Sequence, residues 1–268
     1  MDCKSKAIIA FVAVSTVFVV AFIGLTAIDE SDANADDAIV AKIGDVGYKS
    51  LEDAWNAALV ADSNTIIELV ANSNGNGLQI ADGSGFNHVI TLNLNGHTYE
   101  FTGGAVGSTG TVNQALHLNG AEDSGVFING SDTNGNYGKL VVRSSAESIE
   151  LFCMNYMGLS FNDVTIDLSE ASQITRGITS CEDTLMITGN TQILMGQGRN
   201  AIVNNMFGNH GDSYITFDNT FTGTIDGDIC VWVEDGAQGE RGATSTSILE
   251  HSSVRSVRSI LIARIPAG

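Results

Sequence analysis

The chain has 268 residues, with 31 Asp and Glu against 12 Lys and Arg, and its formal net charge of −19 repels phosphate backbones and excludes nucleic acid as a partner. Apolar residues make up 43 %, enough for a sizeable core, while the 30 Gly, the single Pro and the few aromatics are the composition of a turn-rich all-β protein. The acidity suits solubility outside a cell; binding of divalent cations is the sharper alternative.

Lys4 and Lys6 precede an uncharged apolar run over residues 7–28, long enough to cross a bilayer of about 30 Å as a helix. The basic flank on one side and Asp29-Glu30 on the other put the N-terminus inside and the remainder outside. Residues 1–28 are therefore read as a retained signal-anchor, or as a signal peptide cleaved near Ala33-Asn34-Ala35; both readings export the rest of the chain. Residues 29–38 form a short acidic linker.

Residues 39–48 read as a hairpin around Gly44-Asp45. A helix is predicted over residues 50–61. Ser50 is its N-cap, Asp53 stands three residues later, and Leu51, Ala54, Trp55, Ala58 and Leu59 fall on one face. Asp62-Ser63-Asn64 stops the helix, and residues 65–70 alternate as a strand. No comparable helix occurs later in the chain. Its apolar face needs a partner, so it is expected to close one end of a stack of strands with Trp55 buried.

Beyond residue 89 a pattern of apolar, any, apolar, Asn, Gly recurs at residues 92–96, 116–120 and 126–130, the first two copies 24 residues apart. A second alignment superimposes the segments beginning at Leu159, Leu185 and Tyr214, the last with a one-residue offset. Further short strands are predicted at residues 149–154, 177–181, 201–207 and 229–233. Repeats of about 20–30 residues built from short strands point to a solenoid, so residues 39–238 are assigned to a parallel β-helix whose rungs pair with their neighbours. An immunoglobulin-like sandwich is the alternative fold.

The run Tyr48-Lys49-Ser50-Leu51-Glu52-Asp53-Ala54-Trp55-Asn56-Ala57-Ala58, followed by Asp62-Ser63-Asn64-Thr65-Ile66-Ile67-Glu68-Leu69, resembles the entry to pectin-lyase-like right-handed β-helices. There a short capping helix precedes a Gly-Asp-Thr turn; here Ser63-Asn64 replaces the Gly-Asp. The opening Ala41-Lys42-Ile43-Gly44-Asp45-Val46-Gly47-Tyr48 also resembles adhesin-like surface proteins of gut bacteria and methanogenic archaea. The resemblance implies a right-handed β-helix and a surface location. It implies no activity, because this fold carries lyases, hydrolases and adhesins alike.

The hydrolases of that family carry Asn-Thr-Asp, Asp-Asp, Gly-His-Gly and Arg-Ile-Lys. The nearest approach here is Gly208-Asn209-His210-Gly211-Asp212, which lacks the Asp-Asp before it and the Arg-x-Lys after it. His210 and Asp212 are the only catalytic candidates, set against a polar turn. Asp132-Thr133-Asn134-Gly135-Asn136 starts like a calcium loop, but Tyr137 and Arg143 stand where Gly and Glu are needed, so it reads as a surface turn. Asp226 and Asp228 flank Gly227 in a turn that offers a cation at most two carboxylates. Cys153 and Cys181 occupy similar places in their repeats, leaving open a disulfide between them and a ladder of buried thiols. His88, His97, His117 and His251 lack ligand spacing and read as surface or turn residues. Asn129-Gly130-Ser131 is a glycosylation sequon on a turn of an exported chain. No cofactor is expected.

Residues 239–268 lose the Asn-Gly turns and gain Arg. They read either as a basic cap or partner-binding tail, or as a truncated or frame-shifted end that leaves the strand near residue 233 unpaired. The expected function is non-enzymatic display at a cell surface, adhesin-like, structural or glycan-binding, with a glycan or a surface protein as partner. A polysaccharide lyase or glycoside hydrolase of the same fold is the alternative.

Overall fold

The computed structural model describes residues 38–107, 114–143, 150–155, 157–181, 183–195, 198–207, 213–234 and 260–265. The expected membrane segment at residues 7–28 lies outside them, as do most of the linker, His210 and Asp212. Among the described residues no helix is long and apolar enough to cross a membrane. Apart from Ala38, all belong to the compact unit that begins at Ile39.

The protein is predominantly β. The antiparallel hairpin β1 (Ala41–Ile43) and β2 (Val46–Tyr48) turns at Gly44, whose φ of +56° is a conformation that favours glycine. The helix α1 (Leu51–Leu59) comes next, two residues shorter than expected at its C-terminal end. Ser50 is extended and its Oγ accepts the Asp53 N–H at 3.0 Å, while Glu52 and Asp53 place negative charge in the first turn. Leu51, Ala54, Trp55 and Ala58 are all buried, as their spacing requires.

Among the described residues the strands from β3 to β20 are parallel and visit three sheets in strict rotation. The first rung is β3 (Thr65–Leu69), β4 (Ser73–Gly75) and β5 (Leu78–Ile80); the second is β6 (Val89–Asn93), β7 (Thr98–Phe101) and β8 (Gln114–Asn119). The third is β9 (Gly125–Asn129), β10 (Lys139–Val142) and β11 (Glu150–Asn155); the fourth is β12 (Gly158–Asn162), β13 (Thr165–Asp167) and β14 (Arg176–Ser180). The fifth is β15 (Asp183–Thr188), β16 (Gln192–Leu194) and β17 (Asn200–Phe207); the sixth is β18 (Ser213–Phe217), β19 (Thr224–Asp226) and β20 (Asp228–Glu234). Between the ends of the stack each strand pairs with the strands three places before and after it, an arrangement compatible with a β-helix. The parallel pairing removes the sandwich alternative, whose sheets are antiparallel.

Inward positions stack like on like. Ile67, Leu92, Ile128, Phe161, Ile187 and Phe217 form one register column of the first sheet, and all are buried. Tyr99, Leu140, Ile166, Ile193 and Ile225 form the corresponding column of the second. α1 and the β1–β2 hairpin lie at the β3 end, with β1 pairing antiparallel to β3.

The copies at residues 92–96 and 116–120 do not stack: the first runs off β6 in the first sheet and the second off β8 in the third. The shared pattern marks how a strand enters a turn, not how far one rung lies from the next. The copy at residues 126–130 does stack on the first, slid by two, so that Leu92 opposes Ile128 and Asn93 opposes Asn129. The second alignment holds, with Leu159 over Leu185 and Leu185 over Ile215, the one-residue offset included. At the other end of the stack β21 (Ile260–Ile265) pairs in parallel with β20, so the edge near residue 233 is covered, as a capping tail would do.

Candidate functional site

The outer face of the first sheet is where apolar side chains meet solvent. The register places Ile66, Thr91, Phe127, Ser160, Met186 and Thr216 in one line across the six rungs. Ile66 is 54 % exposed, Phe127 43 % and Met186 37 %, and these three occupy the first, third and fifth rungs. Hydroxyl residues occupy the second, fourth and sixth; Thr91 and Thr216 are half-buried, and Ser160, in register between Phe127 and Met186, is buried.

On one side of this line runs a polar ladder. Asn93, Asn129, Asn162 and Thr188 are in register; the Asn129 Nδ2 donates to Asn93 Oδ1 at 3.0 Å and the Thr188 hydroxyl donates to Asn162 Oδ1 at 2.8 Å. The bonds join the line in two pairs, and the Asn162 amide itself donates to the Asp163 carboxylate at 3.4 Å. The turns leaving it use positive φ at Asn95 (49°), Asp163 (53°) and Gly189 (58°), and a Cβ on Gly130 would collide with the Asp163 carbonyl. On the other side Val89, Gly125 and Gly158 are in register and leave a low shelf beside Phe127 and Ser160. Tyr214, 41 % exposed, ends that side on β18. The three register lines from β6 to β15 are uncharged, although the Asp163 carboxylate that accepts from Asn162 stands in the adjoining turn. Glu68, which begins the amide line, lies opposite Lys42 in register.

The third sheet differs. On β8 the ring of His117 is only 1 % exposed, and neither ring nitrogen has a hydrogen-bond partner. Gln79 and Cys153 flank it in register, and Thr179 comes after Cys153, its buried hydroxyl also unpartnered. His117 is thus not the surface residue its scattered position suggested. His88 is buried too, its Nε2 3.0 Å from the Ala58 carbonyl and its ring 4.2 Å from that of Phe86. Phe86 and His88 line a cleft of about 350 Å³ at the C-terminal end of α1, with Asp62, Ser84 and Asn87.

The residues singled out from sequence lie apart. Asp226 ends β19 and Asp228 begins β20, on either side of Gly227. Arg199 lies near enough to Asp226 to feel its charge, yet burial dominates and holds the guanidinium below its usual value. That guanidinium donates to the carbonyls of Leu168, Ser169, Ala171 and Ile174, which pins the turn of the rung below. Among the described residues no three His, Cys, Asp or Glu come together to hold a metal ion. The Asp132 carboxylate is occupied within its own loop, accepting the Asn134 and Asn136 N–H groups, each at 2.8 Å, and the Asn136 amide at 2.7 Å. These bonds, those of Asn136 foremost, hold its carboxyl below the ordinary range.

Cys153 sits opposite Thr179 rather than Cys181, and Cys181 is a free thiol two residues further along. Asn129 is half-buried in the amide ladder, and the nitrogen a glycan would occupy is the one donating to Asn93.

Comparison with protein-family models, with curated proteins and with solved structures returned no match. The exposed line of the first sheet escaped the sequence reading because its members lie far apart in the chain. The signal available was the outward position of each aligned strand: Ser160 and Met186 already coincide when Leu159 is laid over Leu185.

Proposed function

We propose that this chain is an exported cell-surface protein with a right-handed parallel β-helix of the pectin-lyase-like kind, and that it binds glycan without turning it over. Two observations and one general rule support the architecture. Strands rotate through three parallel sheets, crossovers between parallel strands are right-handed in nearly all proteins, and a capped helix with the family's entry pattern stands at the first rung. Export rests on the apolar run at residues 7–28 and its flanks.

One observation carries the binding role. The outer face of the first sheet exposes Ile66, Phe127, Met186 and Tyr214 among hydroxyls and amides, with Glu68 on β3 the charged residue in those register lines, on a protein of net charge −19. A sugar ring has an apolar C–H face and a rim of hydroxyls, and such a surface offers both a stacking partner and hydrogen-bonding groups. The full chain would be applied to an array of neutral and acidic glycans, with the products analysed in parallel. Retention without cleavage supports the reading. Release of reducing ends or unsaturated products replaces it with a polysaccharide lyase or glycoside hydrolase, and absence of binding removes it.

A further inference from the structure

We infer that the glycan held on the first sheet is an uncharged, unbranched chain in an extended two-fold conformation, lying along the stack and across the strands. This rests on the glycan-binding reading above and names its ligand class.

The alternation of the exposed line is the starting point. Exposed apolar side chains stand at Ile66, Phe127 and Met186, and less exposed hydroxyl residues stand between and after them, Thr91 and Thr216 half-buried and Ser160 buried. Adjacent strands are about 4.8 Å apart, so the apolar contacts recur every two rungs, at about 9.6 Å. An extended glycan whose successive rings are flipped presents the same face at every second ring. Its period is two sugars, as the period of this line is two rungs. A helical glycan turns its faces away from a flat sheet and loses the match.

The borders of the line argue in the same direction. Gly125 and Gly158 keep the shelf beside it low. Neither has positive φ, and a Cβ at Gly158 would meet its nearest atoms at 3.8 and 4.0 Å, ordinary van der Waals contact. The backbone therefore does not require glycine at 158; the flat floor does. The amide ladder on the opposite side supplies fixed polar groups at each rung from Asn93 to Asn162. A branch would have to pass over one of these borders.

Charge selects among occupants. A second copy of the chain brings another −19, and an anionic polysaccharide meets the same repulsion. A neutral glycan does not.

The test measures affinity of the full chain for β-1,4-linked glucose, xylose and mannose oligomers of increasing length. The α-1,4-linked glucose series serves as the helical control, and a polygalacturonate series as the acidic one. Affinity for at least one β-1,4 series should rise with length until the oligomer spans the six rungs, about 24 Å. Phe127→Ala should weaken it by about tenfold or more. Gly158→Ala, which leaves room for its methyl, should weaken binding with an unchanged unfolding midpoint. Equal affinity for the α-1,4 series, preference for polygalacturonate, or binding indifferent to both substitutions overturns the inference and leaves glycan binding standing. No binding to any glycan of the wider array overturns both.

Discussion

Replacing Trp55 by alanine tests whether α1 closes the stack. The indole is 1 % exposed and lies between the helix and the first strands, where its Nε1–H donates to the Gln79 carbonyl at 3.0 Å. Truncating a buried Trp to Ala costs about 3–5 kcal/mol through lost transfer energy and the cavity left behind. Trp55→Phe keeps an aromatic ring in place but strands the carbonyl, and should cost about 1–3 kcal/mol. Urea denaturation followed by far-ultraviolet circular dichroism would measure both. The Ala variant should show the lower midpoint, with a reduced slope if the first rung frays before the others. An Ala midpoint equal to that of the parent chain would refute the capping role, because a helix that covers nothing loses nothing when its largest side chain goes.

Thr179→Val removes a buried hydroxyl that has no partner while preserving shape, so it should raise stability by about 1 kcal/mol in the same denaturation assay; a fall would mean the hydroxyl is satisfied. Gly130→Ala drives a Cβ into the Asp163 carbonyl and should cost about 1–3 kcal/mol, in contrast to Gly158→Ala on the neighbouring strand; equal midpoints for the two would refute the close approach. The depressed Asp132 carboxyl contributes stability that is present above the unfolded pKa near about 4 and lost as pH falls through its lower folded value. Carboxyl chemical shifts followed against pH should show that depressed titration, and Asp132→Asn should flatten the acid limb of the stability profile.

Local signals were legible wherever the chain carries a period. Ser50, Asp53 and the face from Leu51 to Ala58 announce α1, and Gly44 announces the hairpin before it. The alignment of Leu159 with Leu185 and Ile215 gave the first sheet its register, because those strands are five or six residues long, enough for the inward pairs Leu159 and Phe161, Leu185 and Ile187, and Ile215 and Phe217 to show. Strands of the second sheet such as Thr165–Asp167 and Gln192–Leu194 have three residues each, too few for any alternation to register. The exposed line was hidden for a different reason. Successive rungs differ in length, from 25 residues between Asn64 and Val89 to 36 between Asn93 and Asn129, so no fixed spacing links Ile66 to Phe127 to Met186. The burial of His117 was equally unreadable, since its neighbours in register, Gln79 and Cys153, come from strands on either side of it in the stack.

The rotation of strands through three sheets also bears on how such a protein changes over generations. Within the stack each strand pairs only three places before and after itself, so a duplicated turn of the coil can be spliced in there without disturbing more than the two turns it separates. Every such duplication would lengthen the ligand platform by about 4.8 Å and shift the alternation of grip and polarity by one step. Reach and avidity would then evolve by gene-level copying, while the helix that seals the first turn remains unaltered.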